Sequence, residues 1–224
     1  WADDDEKNKI LNQYVKIAPD GFFVYGDPIS NQSNLVQLFH YADLLQKLQS
    51  YASVPIIASR VNGVGLILLC LGVAGISSGI GSLDSFKESI LSDTTEGYAT
   101  DPRYYIPELL SMVTLEKRVT TKLTALAKSS VGSELRCSCQ FCKGIDSGTI
   151  SLQNMKLHFL QRRKDEIAEI IDFKAGERMV FIESRVKQAI AYSNTLMREG
   201  IKLGDFSHLD TWLSLIQQFK KRSA

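Results

Sequence analysis

Three cysteines within six residues form the part of the sequence with the most specific chemistry. Cys137, Cys139 and Cys142 follow a CxCxxC spacing, which lets three thiolates converge on one tetrahedral ion when the backbone turns tightly. Zn²⁺ is the metal that prefers cysteine and histidine ligands in sets of four. Free thiols in a loop, or a redox pair, are the alternative interpretation. The spacing predicts a zinc site.

The fourth ligand has to come from another element of the chain. Fifteen residues separate Cys142 from His158, which falls near the start of a predicted helix. The other donors are His40 and His208, in different predicted units, and Cys70, inside an apolar run. We expect zinc to be held by Cys137, Cys139, Cys142 and His158. Four protein ligands leave no open coordination position, so the predicted site is structural rather than catalytic.

The residues before the cysteines alternate between strand and helix patterns. Strands are predicted at 21–27, 54–59 and 73–77, separated by helices at 33–51 and 64–71. A further strand at 104–112, which Pro107 weakens, and a helix at 115–128 would make a fourth unit. This order predicts parallel strands with right-handed crossovers. We therefore expect an α/β fold: a partial (β/α)8 TIM-type barrel with a zinc-stapled helical C-terminal extension.

The character of the sequence changes after a serine-rich linker at 129–133. Helical spacing of apolar residues predicts three further helices, at 152–171, 178–198 and 209–219. We divide the chain into the βα units of residues 1–130 and a zinc-binding helical extension of residues 131–224.

An uncharged run from Val61 to Leu83 is long enough to suggest a transmembrane helix. Against that interpretation, the run is rich in glycine and serine, it has no aromatic belt, and no basic cluster follows it. Two buried strands with a short helix between them explain the same residues. We expect no membrane association and a cytoplasmic protein.

Composition excludes several classes of protein. The 224-residue chain has four cysteines, too few for a disulfide-dense secreted scaffold, and no signal-peptide pattern opens it. It contains no GxGxxG, Walker or HExxH pattern. The net charge of +1 hides an asymmetry, because residues 1–116 carry 7 bases and 14 acids, whereas residues 117–224 carry 19 and 11. The C-terminal half is therefore the candidate for an anionic ligand.

Basic residues surround the predicted zinc site. The candidates for contacting nucleic-acid phosphates are Arg136, Lys156, Arg162, Arg163 and Lys164. The alternative is an ordinary solvated helix face, since Asp165, Glu166 and Glu169 follow at once and can pair with these cations.

The cysteine spacing followed by a helical histidine resembles the tRNA-guanine transglycosylase superfamily, which includes related enzymes that place 7-deazaguanines into DNA. The resemblance covers roughly residues 54–165. It implies a TIM barrel, a zinc ion on the Cys3His set, tRNA or DNA as partner, and base exchange by an aspartate nucleophile. The segment 72–78 resembles the strand that carries this aspartate, but Ser77 stands in its position. Asp27, at the end of an earlier predicted strand, is then the candidate catalytic carboxylate.

Two other classes of function stay open. The chain could be a non-catalytic zinc-stabilised scaffold or partner subunit, in a homo- or hetero-oligomer, which fits the missing aspartate. It could also be a small-molecule α/β enzyme whose cysteines are incidental.

Overall fold

The structure is a computed structural model that describes residues 4–26, 29–78, 102–115, 119–142 and 150–223. Its helices in chain order are α1 (Asp4–Lys16), α2 (Leu35–Ala52), α3 (Gly65–Cys70), α4 (Val119–Ala127), α5 (Gly132–Leu135), α6 (Leu152–Asp172), α7 (Ala175–Arg198) and α8 (His208–Ser223). Its strands are β1 (Phe22–Tyr25), β2 (Ile56–Ser59), β3 (Gly75–Ser77), β4 (Arg103–Ile106) and β5 (Ser111–Thr114). Three-residue 3₁₀ turns lie at Asn62–Val64, Pro107–Leu109 and Gln140–Cys142.

The first three strands form a parallel sheet in the order β1-β2-β3. Phe22 pairs with Ile56, and Ile57 pairs with Gly75. The crossover helix α2 is capped at its N-terminus by Asn34, whose side chain accepts the Gln37 N–H while the Gln37 side chain accepts the Asn34 N–H. This capping box fixes the start of the helix. The predicted α/β class, with parallel strands joined by helices, is confirmed for this part of the chain.

The prediction that residues 104–112 form a single parallel strand is wrong. Residues 103–114 instead form the antiparallel pair β4–β5, a separate two-stranded sheet. Pro107 begins the 3₁₀ turn between the strands, and Leu110 closes it in the left-handed region at φ 49°. Proline has no N–H to give to a strand ladder, so the chain reverses there. In the described residues no closed barrel is present, and the partial TIM-type barrel stays a prediction.

The helices pack the two sheets into two hydrophobic clusters. The sheet cluster joins α2, β2 and α3 to α7 and α8 through side chains such as Leu45, Ile67, Val186 and Trp212. The hairpin cluster joins β4 and β5 to α4, α5, α6 and the end of α7. Both clusters combine residues from before and after position 130, and the proposed division of the chain at that residue stays a prediction.

The helix α8 packs closely against the turn that contains Gly63. A Cβ atom at this glycine would lie 2.5 Å from Cη2 of Trp212 in α8. Real Cβ contacts do not come this close, so the 3₁₀ turn after β2 needs glycine for α8 to pack there.

The apolar run at 61–83 is split, as far as residue 78, into the Asn62–Val64 turn, the six-residue α3 and the strand β3. Its remaining residues lie outside the described part of the chain. Among the described helices none is both long and apolar enough to cross a bilayer.

Candidate metal centre

Two local structures bring the four predicted ligands together. After α5 the chain is extended at Arg136, and the loop then tightens into the 3₁₀ turn at Gln140–Cys142, where the Cys142 N–H donates to the Cys139 carbonyl at 3.0 Å. His158 lies in the second turn of α6. Ser151 caps the N-terminus of that helix, and its hydroxyl accepts the Asn154 N–H at 3.1 Å. The cap sets where His158 points relative to the loop.

The ligand atoms form one compact group. The three sulfurs and one imidazole nitrogen all lie within 4.8 Å of one another. His158 Nδ1 is 3.4 Å from Cys139 Sγ and 3.2 Å from Cys142 Sγ, and the two sulfurs are 3.5 Å apart. His158, Cys137 and Cys142 are buried, and Cys139 is partly exposed. The arrangement can hold a metal ion, as the spacing predicts.

The main chain of β4 orients the imidazole. His158 Nε2 lies 2.7 Å from the carbonyl oxygen of Tyr105. A carbonyl oxygen only accepts, so Nε2 carries the proton and Nδ1 presents a lone pair to the sulfurs. Metal-binding histidines are held in this way by a partner on their second nitrogen. The hydrogen bond at Nε2 thus leaves Nδ1 of His158 available to bind a metal ion.

Tyr104, the preceding residue of β4, contacts two of the ligands. Its ring stacks on the His158 imidazole with centroids 4.6 Å apart and planes inclined by 10°. Its hydroxyl oxygen lies 3.2 Å from Cys142 Sγ. Because neighbouring strand residues point to opposite faces, Tyr104 faces the cysteines while the Tyr105 side chain faces the other way.

Hydrogen bonds within the ligand cluster shift the pKa values of its own side chains. Hydrogen bonding with Cys142 is the largest cause that lowers the pKa of the Cys137 thiol, and the same contact raises the pKa of Cys142. Burial alone would lower the pKa of His158, but hydrogen bonds with Cys137 and Cys139 raise it overall. These directions favour a thiolate at Cys137, and a metal that binds here displaces the remaining protons.

A buried ionic group lies behind the metal centre. Glu166 of α6 accepts hydrogen bonds from the Tyr105 hydroxyl at 2.9 and 3.0 Å and from Arg185 of α7 at 3.2 Å. Arg163 Nη1 lies 3.5 Å from the same carboxylate, and its guanidinium stacks over the Tyr105 ring at 5.0 Å. Burial raises the pKa of Glu166, and the two arginines oppose that effect. Tyr105 thus links the ionic group to the carbonyl that orients His158.

The predicted phosphate-contacting residues take three different positions. Arg136, Lys156 and Lys164 are exposed. Arg162 is half-buried and pairs with Asp165 at 3.4 Å, and Arg163 is buried in the ionic group.

The candidate catalytic Asp27 lies outside the described residues.

Sequence reasoning missed the residues that support the ligands. Tyr104, Tyr105 and Arg185 were not singled out, and Glu166 was considered only as a surface charge. The adjacent tyrosines in a predicted strand were the available signal, since their alternation puts one hydroxyl on each face. Nothing in the sequence connects Arg185 with residue 166, because that contact depends on how α6 and α7 pack.

Comparisons with known proteins gave no relatives: no family model, no curated protein and no solved structure matches this chain.

Proposed function

We propose that this chain is a zinc-stabilised, nucleic-acid-associated protein of the transglycosylase type, in which the zinc is structural. The observation that carries the proposal is the convergence of Cys137, Cys139, Cys142 and His158 on one point. These are the positions through which the sequence resembles the transglycosylase superfamily.

Zinc is the metal that this donor set favours. Three thiolates and an imidazole suit Zn²⁺, whereas carboxylates and carbonyls would suit magnesium or calcium. Bound zinc would supply four strong bonds that fix the cysteine loop to α6. With all four positions occupied by protein, no position is left for a substrate or a reactive water, which supports a structural role.

The nucleic-acid part of the proposal is supported by the resemblance and by the exposed cations Arg136 and Lys156. Arg136 precedes the first ligand, and Lys156 lies on α6 two residues before His158. Both can reach phosphates while the zinc fixes the loop and the helix. Arg163 is left out of this role because it is buried in the ionic group.

Base exchange would use a carboxylate as nucleophile. A carboxylate oxygen would bond to the ribose C1′ as the bond from C1′ to the base breaks, and the base would leave with the electron pair. The incoming base would then attack C1′ and release the carboxylate. Asp27 is the residue that we nominate for this role.

The second candidate is a non-catalytic zinc-stabilised scaffold or partner subunit. The closed ligand set and Ser77, standing where the resemblance places the nucleophile, favour it. The two candidates share the metal and differ in catalysis.

Metal analysis tests the shared part of the proposal. Protein purified without added metal should contain about one zinc per chain, and Cys139→Ser should reduce this several-fold. Cys70→Ser is the matched control, because Cys70 is buried in the sheet cluster and should leave the zinc content unchanged. A chain that contains no zinc and takes none up would overturn both candidates.

Salt-dependent binding tests the nucleic-acid part. Replacing Arg136 and Lys156 together with alanine should weaken binding to tRNA or duplex DNA and reduce the salt slope by about two. Lys9→Ala with Lys16→Ala is the control, since both side chains are exposed on α1, which supplies no ligand. An equal loss of nucleic-acid affinity in the two double variants would contradict a specific binding surface at Arg136 and Lys156.

Exchange of labelled guanine into tRNA or DNA separates the two candidates. Incorporation that Asp27→Asn abolishes supports the transglycosylase. Nucleic-acid binding with no incorporation supports the scaffold.

A further inference from the structure

The four cysteines of this chain, all of which lie in the described residues, differ in how far they are open to solvent. Cys139 is partly exposed, whereas Cys70, Cys137 and Cys142 are buried. Cys139 lies at the margin of the hairpin cluster, and both of its neighbours in the chain are exposed. A dissolved oxidant therefore reaches the sulfur of Cys139 first.

A second sulfur lies close to the exposed one. Sγ of Cys139 is 3.5 Å from Sγ of Cys142, and the Cys142 N–H donates to the Cys139 carbonyl at 3.0 Å. This hydrogen bond of the 3₁₀ turn keeps the two residues together whether or not a metal is bound. A disulfide bond is about 2 Å long, so the gap that has to close is about 1.5 Å.

Cys137 is the less suitable partner for Cys139. Only one residue separates the two, and the sulfur of Cys137 already accepts the Cys139 N–H at 3.4 Å. A disulfide between residues two positions apart has little freedom to reach its preferred geometry and is strained. Cys139 and Cys142 instead have the CxxC spacing that is typical of pairs that cycle between dithiol and disulfide.

The histidine side of the metal centre does not depend on these two sulfurs for its orientation. His158 Nε2 lies 2.7 Å from the Tyr105 carbonyl, and the imidazole stacks on the Tyr104 ring with centroids 4.6 Å apart. Neither contact involves a cysteine. The ligand on α6 therefore stays oriented when the loop is oxidised, and a reduced loop can take the metal up again.

We propose that Cys139 is a site of reversible oxidation by peroxides, and that its disulfide with Cys142 releases the zinc. This inference rests on the structural zinc site proposed above and adds a means of regulating it. Oxidation leaves Cys137 and His158 as ligands, which are too few for a tetrahedral site, and it frees the loop from α6.

The reaction consumes one peroxide molecule. The Cys139 thiolate attacks a peroxide oxygen, the O–O bond breaks, and the sulfur becomes a sulfenic acid as hydroxide leaves. The Cys142 thiolate then attacks the sulfenic sulfur, the S–S bond forms, and the S–O bond breaks to release a second hydroxide. Two protons from solvent convert the hydroxides to water. The two sulfurs lose two electrons and the peroxide gains them, whereas Zn²⁺ keeps its oxidation state.

Hydrogen peroxide added to the zinc-loaded full chain tests the proposal. About one zinc per chain should be released, which a chromophoric chelator measures, and two of the four thiols should disappear. Peptide mapping should find Cys139 joined to Cys142, and dithiothreitol with added zinc should restore the metal content. A metal content that peroxide leaves unchanged would overturn the proposal, and so would a disulfide at another pair.

Two variants with matched ligand sets locate the reactive sulfur. Cys139→His and Cys137→His each leave two cysteines and two histidines, a set that also binds zinc. Cys139→His should release zinc on the order of 10-fold more slowly than the parent, because the exposed thiolate is gone. Cys137→His keeps the Cys139–Cys142 pair and should release zinc about as fast as the parent. Equal rates in the two variants would contradict the assignment, and the peptide map of the parent decides it independently of both variants.

Cys70→Ser is the control for general oxidation. Cys70 is buried in the sheet cluster, and burial raises the pKa of its thiol to about 12. This variant should release zinc like the parent, and slower release would contradict the assignment to Cys139.

The failures of the two proposals are distinguishable. A chain that binds no zinc contradicts the zinc proposal and the redox proposal together. A zinc-loaded chain that keeps its metal in peroxide contradicts the redox proposal alone.

Discussion

Tyr104 contacts two of the metal ligands without being one of them. Its ring lies flat against His158, and its hydroxyl lies beside Cys142. A hydroxyl donated to a thiolate stabilises the anionic form that metal binding requires. The side chain is almost completely buried, so water does not replace that contact when it is removed.

We predict that Tyr104→Phe lowers zinc affinity on the order of 10-fold, because it keeps the stacking and removes the hydroxyl. Competition with a chromophoric chelator measures the change, and the thiolate charge-transfer band of the cobalt-substituted protein should shift.

Tyr105→Phe is the control, because His158 contacts only the main chain of that residue. Its zinc affinity should stay within about twofold of the parent protein, a difference of less than ~0.5 kcal/mol. A larger loss of affinity in Tyr105→Phe than in Tyr104→Phe would contradict the assignment.

His208 is a second residue whose surroundings have a measurable consequence. Burial lowers its pKa to about 4, although Asp205 and the Leu110 carbonyl act in the opposite direction. The pKa of an unfolded histidine is about 6.5. Between these values the unfolded chain binds the extra proton, so the free energy of unfolding falls as the pH drops from about 6.5 to about 4. The contribution is complete above pH 6.5, and its loss amounts to about 3 kcal/mol.

Urea unfolding at pH 7 and pH 4.5 checks this expectation. His208→Gln should lose less stability between the two pH values than the parent protein. The comparison cancels any effect of acid on metal binding, since both proteins share the metal centre. Equal pH dependence in the two proteins would show that His208 is not the source.

At the scale of elements, the buried ionic group connects β4, α6 and α7. Glu166 accepts from Tyr105 of the strand and from Arg185 of the neighbouring helix. Arg185 also donates to the Pro107 carbonyl in the turn between β4 and β5, at 3.3 Å. The hairpin that carries Tyr104 is therefore tied to both helices by one carboxylate.

We predict that Glu166→Ala destabilises the protein by about 3–5 kcal/mol, since it leaves Arg163 buried without its carboxylate. Asp165→Ala removes the adjacent and more exposed partner of Arg162 and should cost about 1 kcal/mol or less. Urea unfolding of the two variants measures both values. Similar losses would mean that the buried group contributes no more than a surface ion pair.

The same elements show which parts of the secondary structure could be predicted from the sequence. Helix α6 was predicted at 152–171 and occupies 152–172, because Ser151 caps it and its apolar residues recur at helical spacing. The hairpin was predicted as one strand, because its two halves are both apolar and β-branched or aromatic. Pro107 signalled the break, but the reversal also depends on the backbone of Leu110 and on the helices that pack over the turn.

At the scale of the whole molecule, the metal centre lies inside the hairpin cluster. Cys137 and Cys142 belong to that cluster, together with Tyr104 and Met155. The sheet cluster contains none of the four ligands. Metal binding therefore stabilises one of the two clusters directly.

We predict that removing the metal with a chelator lowers Tm by about 10 °C, the shift expected for a ligand that contributes about 4 kcal/mol. Hydrogen exchange should accelerate first at amides of β4, β5 and the start of α6. Cys139→Ser should show no response to the chelator. Uniform acceleration across both clusters would show that the metal stabilises the whole molecule as one unit.

The sequence by itself determined the ligand types, their spacing and the helix that presents His158, because these depend on neighbours close along the chain. It also determined that the first three strands alternate with helices and run parallel. The sequence already favoured His158 over His40 and His208, but only the tertiary structure brought it within reach of the sulfurs, and only the tertiary structure decided that Arg163 is buried while Lys156 is exposed. Those outcomes depend on how β4, α6 and α7 pack, and contacts between residues far apart in the chain leave no periodic signal in the sequence.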